Sequence, residues 1–147
     1  MSTGNFIIKP EGFEIPQAAI DVHGITTEKA LKEGENLKKV MCYFIGAARC
    51  ADVIVGHNIS YDMHIVGSEY FRAWGKDYIE HIPTICTMKS SIEFCAIPGK
   101  YGHKFPKLQE LHKKLFDSNF DDAHDAMADI LATQKCYHEL KKREIIK

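Results

Sequence analysis

With 147 residues the chain suffices for one domain and is too short for two of ordinary size; it can bury enough surface to fold without disulfides or zinc. A content of 45% hydrophobic and 27% charged residues excludes a disordered chain, and a formal net charge of −1 excludes a global pull on nucleic acid, leaving local contacts only. The five cysteines, Cys42, Cys50, Cys86, Cys95 and Cys136, form no Cys-x-x-Cys pair and read as reduced, buried thiols of a cytoplasmic protein. No apolar run reaches membrane-spanning length, so no membrane partner is expected.

In chain order, Phe6-Ile7-Ile8-Lys9 is a short strand stopped by Pro10 and Gly12. A turn or helical piece ends at His23-Gly24-Ile25-Thr26, and residues 28–33 form a brief helix that Gly34 terminates. Leu37, Val40, Met41, Phe44, Ile45 and Ala48 recur at the spacing of one buried helical stripe. Residues 52–57 are strand-like, and the run Val53-Ile54-Val55 suits a sheet covered on both faces. Ser60 is the expected N-cap of a helix reaching about Trp74, with Tyr61 and Phe71 as core residues. Residues 83–86 are a short strand and residues 87–96 a helix closed by Pro98-Gly99. The basic and aromatic stretch from Pro98 to Pro106 is a loop, and Leu108, Leu111 and Leu115 mark another short helix. The last helix runs from about Asp122 to Lys142, with Ala126, Met127, Ile130, Thr133, Tyr137 and Leu140 as its inner stripe. Alternation of strands and helices favours an α/β layer with helices packed on a narrow sheet.

Three acids and imidazoles carry the chemistry. Asp62 follows the strand and the polar elbow Gly56-His57-Asn58, at the end of a parallel strand where open α/β sheets place ligands. A carboxylate there can hold a hard divalent cation; alternatively it is an exposed first-turn acid favoured by the helix dipole. His124 and Asp129 head the final helix five residues apart. On a complete helix that spacing turns them about 140° apart, so they converge only if His124 lies in a frayed first turn, with Asp121 or Asp122 capping. His124 is then a general base near its ordinary pKa of about 6.5; the plain alternative is a pair of solvated helix-start residues. His57 and Asn58 shape the elbow and are candidate nucleic-acid contacts. Lys100 and Lys104 are placed to meet phosphates, with Tyr101 or Phe105 stacking on a base; the alternative is a solvated loop pinned by its aromatics. A zinc site from His57, His64 and His81 or His138 has no recognised spacing.

Taken in order, Pro10-Glu11-Gly12, Ile15-Pro16, His23-Gly24-Ile25-Thr26, Gly56-His57-Asn58, Asp62, the leucines after Pro106, His124 and Asp129 resemble the DEDDh family of 3′–5′ exonucleases, the DnaQ-like or RNase T-like group. The resemblance implies a ribonuclease H-like exonuclease fold, a mixed sheet flanked by helices, over a single domain of residues 1–147. It implies phosphodiester hydrolysis at the 3′ end of single-stranded DNA or RNA with two divalent ions, Mg²⁺ or Mn²⁺. Asp62 and Asp129 are then metal ligands and His124 the base.

The family's first motif, Asp-x-Glu on an opening strand, does not occur in these residues. Glu11 and Glu14 have the wrong spacing to share a strand face. The expectation is thus a domain truncated at its N-terminal strands, inactive or impaired because two of four motif carboxylates are missing. A catalytically silent binding or oligomerising module is the alternative. Strand exchange between copies and a polymerase partner are further expectations.

Overall fold

The computed structural model describes residues 3–121 and 125–146. The chain divides into two compact units, residues 1–50 and 51–147.

In the first unit, α1 (Gln17–His23), α2 (Thr27–Glu33) and α3 (Leu37–Ala48) follow one another. Thr26 and Asn36 start the second and third by accepting from the amides of Lys29 and Lys39, satisfying N–H groups that a helix start leaves open. The α3 stripe is as expected: Met41 and Ala48 are buried, and Leu37, Val40, Phe44 and Ile45 are half-buried. Cys42 lies off that stripe and Cys50 beyond the helix end, so both are exposed rather than buried. The strand expected at residues 6–9 contracts to one parallel bridge between Ile8 and Glu35. Lys9 N donates to Glu35 O at 2.9 Å and Glu35 N to Ile7 O at 2.8 Å. Gly34 and Glu35 are the two residues between the end of α2 and the cap of α3, and Pro10 has no N–H with which to extend a ladder.

The second unit opens with β1 (Ile54–Gly56), α4 (Ile59–Trp74) and β2 (Thr84–Cys86), a strand–helix–strand unit whose strands pair in parallel with Val55 opposite Ile85. Then come α5 (Thr87–Ser90), α6 (Ile92–Cys95), the hairpin of β3 (Pro98–Gly99) and β4 (Gly102–His103), α7 (Leu108–Phe116) and α8 (Ala126–Lys142). One helix was expected over residues 87–96; Ser91 divides it. Its hydroxyl donates to Thr87 O at 2.7 Å, a side-chain bond that competes with the helical ladder. The expected loop at 98–106 holds the antiparallel hairpin, Pro98 opposite His103.

The core gathers Cys95, Leu111, Leu115, Cys136, Leu140 and Ile146, with Ile85, Phe94 and Leu108 packed against it. α8 lies against α7 and beside β1. Its inner face differs from the expected stripe. Ala132, Thr133, Cys136 and Leu140 are buried while Ile130 is 58% exposed. On α4, Ile59, Gly67 and Tyr70 face inward. Tyr61 lies half a turn round from them, and it and Phe71 are exposed instead of core.

Candidate active site

The elbow after β1 is built by two residues. Asn58, not Ser60, caps α4, with φ 68° and ψ 37°, the left-handed conformation that asparagine tolerates better than other side chains. Gly56 is required by close approach, because a Cβ there would lie 2.6 Å from the Ile59 side chain. Together they reverse the chain within two residues and start α4 immediately, so Asp62 falls in its first turn.

His57 locks this elbow to two distant segments. Its Nε2 lies 3.0 Å from the carbonyl oxygen of Pro106 and its Nδ1 3.0 Å from Thr87 Oγ1. Both ring nitrogens are thus engaged within the protein. Burial pulls the imidazole below its usual pKa, offset in part by the Pro106 carbonyl and by the negative charge of Asp129. That last influence joins the elbow to the head of α8.

Asp129 stands where an apolar residue would be expected. Stepping by three and four from Asp129 reaches Ala132, Thr133, Cys136 and Leu140, the buried face of α8. The carboxylate therefore lies on the inward stripe, half-buried, on the helix that runs beside β1. The start of α8 is fixed by Asp125, whose carboxylate accepts from the amides of Met127 and Ala128 at 3.0 Å each. Asp125 replaces Asp121 and Asp122 as the cap. His124 and Asp122 lie outside the described residues.

Asp62 sits at the margin of the inward face of α4. Its side chain is open to solvent, yet the protein around it displaces enough water to raise its carboxyl pKa. The structure thus brings the elbow and Asp129 within electrostatic reach. Among the described residues no group of three or more His, Cys, Asp or Glu side chains is assembled for a metal ion. A cavity of about 310 Å³ lined by Ser60, Met63, His64, Asp77, Glu80, Ile82 and Thr84 includes none of the motif side chains.

The two candidate lysines differ. Lys104 Nζ is 2.6 Å from Glu110 Oε1, and Glu110 also accepts from the Lys107 amide at the start of α7 at 2.7 Å; that ammonium is committed to the fold. Lys100 lies 5.1 Å from the ring centre of Tyr101, which is 90% exposed at the hairpin tip. Sequence reasoning passed over Thr87 and the Pro106 carbonyl. The only trace of the first is a polar β-branched residue just past a strand end.

A protein-family model described as Exonuclease, of the RNase T type, matches residues 2–137. Comparison with proteins of curated function finds no match. Among solved structures, exonuclease I with bound product has a TM-score of 0.73 at 20% identity, over 95% of this chain and 35% of that one. Escherichia coli exonuclease I in complex with a dA16 oligonucleotide has a TM-score of 0.73 at 22% identity, over 94% and 32%. A further exonuclease I structure, from work on how processivity is achieved, has a TM-score of 0.72 at 21% identity, over 93% and 32%. The chain spans about a third of the length of these structures. They share its fold, the ribonuclease H-like exonuclease fold, here helix-rich with small parallel and antiparallel sheets.

Proposed function

Because the chain belongs to the exonuclease family, we propose that it is a 3′–5′ exonuclease domain over residues 1–147, acting on a single-stranded DNA or RNA end. One observation carries the reading: Asp129 interrupts the apolar face of α8 at a point where its charge reaches the imidazole of the elbow. A half-buried carboxylate at the head of that face contributes little to packing, which supports a ligand function. The oligonucleotide held by Escherichia coli exonuclease I supports a single strand as the bound species.

In this reading Asp62 and Asp129 are the oxygen ligands for Mg²⁺ or Mn²⁺ in a two-metal site, and the bound ions supply Lewis-acid stabilisation of the phosphate. His124 takes a proton from the attacking water. Asn58 and Lys100 contact the strand, with Tyr101 offering a stacking face, while His57 and Lys104 hold the backbone that presents them. Two acids are few for a hard-cation site, since affinity follows the number of charged oxygens, so metal binding is weak and activity impaired in these 147 residues. No helix among the described residues is long and apolar enough to cross a membrane, and the proposed location is the cytoplasm.

The test is release of terminal nucleotides from a 3′-labelled single strand with Mn²⁺. Asp129→Ala and His124→Ala are each expected to reduce release by about 100-fold or more. The absence of a three-ligand cluster among the described residues favours one second reading, a silent module that binds nucleic acid, a polymerase or its own copies without cleaving. Retained oligonucleotide binding with no release at any Mn²⁺ concentration would establish it.

A further inference from the structure

The Thr87 side chain is fully buried where β2 meets α5, and its surroundings settle where its single hydroxyl proton goes. The Pro106 carbonyl only accepts, so His57 Nε2 at 3.0 Å must carry the ring proton. Burial favours the neutral ring, whose Nδ1 is then bare, and the group facing it at 3.0 Å is Thr87 Oγ1. The hydroxyl's other acceptor, Gly56 O, is farther away at 3.3 Å. Thr87 therefore donates to Nδ1, and the three groups form a chain from hydroxyl to ring to carbonyl. That chain ties the end of β1 to residues 30 and 49 positions away.

We propose that Thr87 is a positioning residue for the reaction: its hydroxyl holds His57 in the Nε2–H form and so fixes the elbow from which α4, with Asp62 in its first turn, begins. The inference rests on the nuclease reading for its catalytic consequence, and on geometry alone for the hydrogen-bonded chain. Thr87 touches neither acid. Its influence passes through the ring and the two-residue reversal at Gly56 and Asn58. Valine has nearly the shape of threonine without the donor, so it leaves a bare ring nitrogen unpaired in a closed site.

The experiment compares Thr87→Val with Thr87→Ser in the full chain. The readouts are the nitrogen-15 resonances of the His57 ring and the kinetics of nucleotide release with Mn²⁺. In the unsubstituted chain and in Thr87→Ser, the ring is expected to show a protonated Nε2 and a hydrogen-bonded bare Nδ1. In Thr87→Val the Nδ1 resonance moves to that of a free acceptor. kcat falls roughly tenfold while KM stays within about twofold, and serine restores kcat. Should the valine chain not fold, Thr87→Ala read against Thr87→Ser makes the same comparison. Ring resonances unchanged by loss of the hydroxyl overturn the chain of bonds. Altered resonances with an unchanged kcat overturn the positioning role. An unsubstituted chain that releases no nucleotide overturns the nuclease reading and that role with it, while the resonances still report separately on the bonds.

Discussion

The elbow after β1 and the hairpin of β3 and β4 both fall among the candidate nucleic-acid contacts, and they are built in opposite ways. At the elbow, polar groups are spent on the protein itself: both His57 nitrogens are bonded, Asn58 sustains a left-handed turn, and Gly56 admits Ile59. At the hairpin tip, Lys100 and Tyr101 meet each other and otherwise face solvent. A catalytic acid needs a fixed position, because misplacement by about 1 Å costs rate. A strand-gripping aromatic gains from reach and tolerance, since every base offers a stacking face. The elbow is thus the pre-organised part of the second unit and the hairpin tip the exposed one.

The largest effect is expected from Gly56→Ala. The added methyl meets the Ile59 side chain, and overpacking of this kind costs about 1–3 kcal/mol; urea denaturation should show that loss. An unchanged midpoint would mean that the elbow yields as readily as the hairpin. Asp62→Asn is expected to act in the opposite direction on stability. The raised carboxyl pKa means that the folded chain binds this proton more readily than the unfolded chain. The ionised form therefore costs stability, fully so above the raised folded value and not at all below the unfolded one. Asp62→Asn is expected to raise Tm at neutral pH, the gain shrinking as pH falls through the ordinary Asp range, while metal-dependent release is lost. The smallest effect separates the two lysines. Lys104→Ala removes the ion pair with Glu110 and should lower stability by at most about 1 kcal/mol. Lys100→Ala leaves Tm unchanged and weakens oligonucleotide binding, as read by fluorescence anisotropy across a salt series.

Much of this was legible along the chain. The α3 stripe needed only the recurrence of Leu37, Met41, Phe44 and Ala48, because every inward position there is apolar. On α8 the same reasoning drifted by one position, from Asp129 to Ile130, because a carboxylate occupies a place that the pattern assigns to an apolar side chain, and because Ala132 and Cys136 are small. The cap of α4 was misplaced for a related reason. Serine and asparagine are comparable side-chain caps, but the elbow needs a left-handed backbone turn that Asn58 supplies. The partners of His57 could not be read at all, since they stand 30 and 49 residues away and one of them is a main-chain carbonyl. The order of motifs survived these local errors, since a family pattern depends on which residues recur and not on where each side chain points.

The central thiol of the second unit has one more consequence. Cys136 is wholly enclosed, and its pKa is pushed up to about 12 by burial and by Cys95, whereas Cys42 and Cys50 are open to solvent. Alkylating reagents attack the thiolate, so Cys136 becomes reactive only when α8 parts from its neighbours. Its labelling rate is a built-in clock for opening of the helix that carries Asp129.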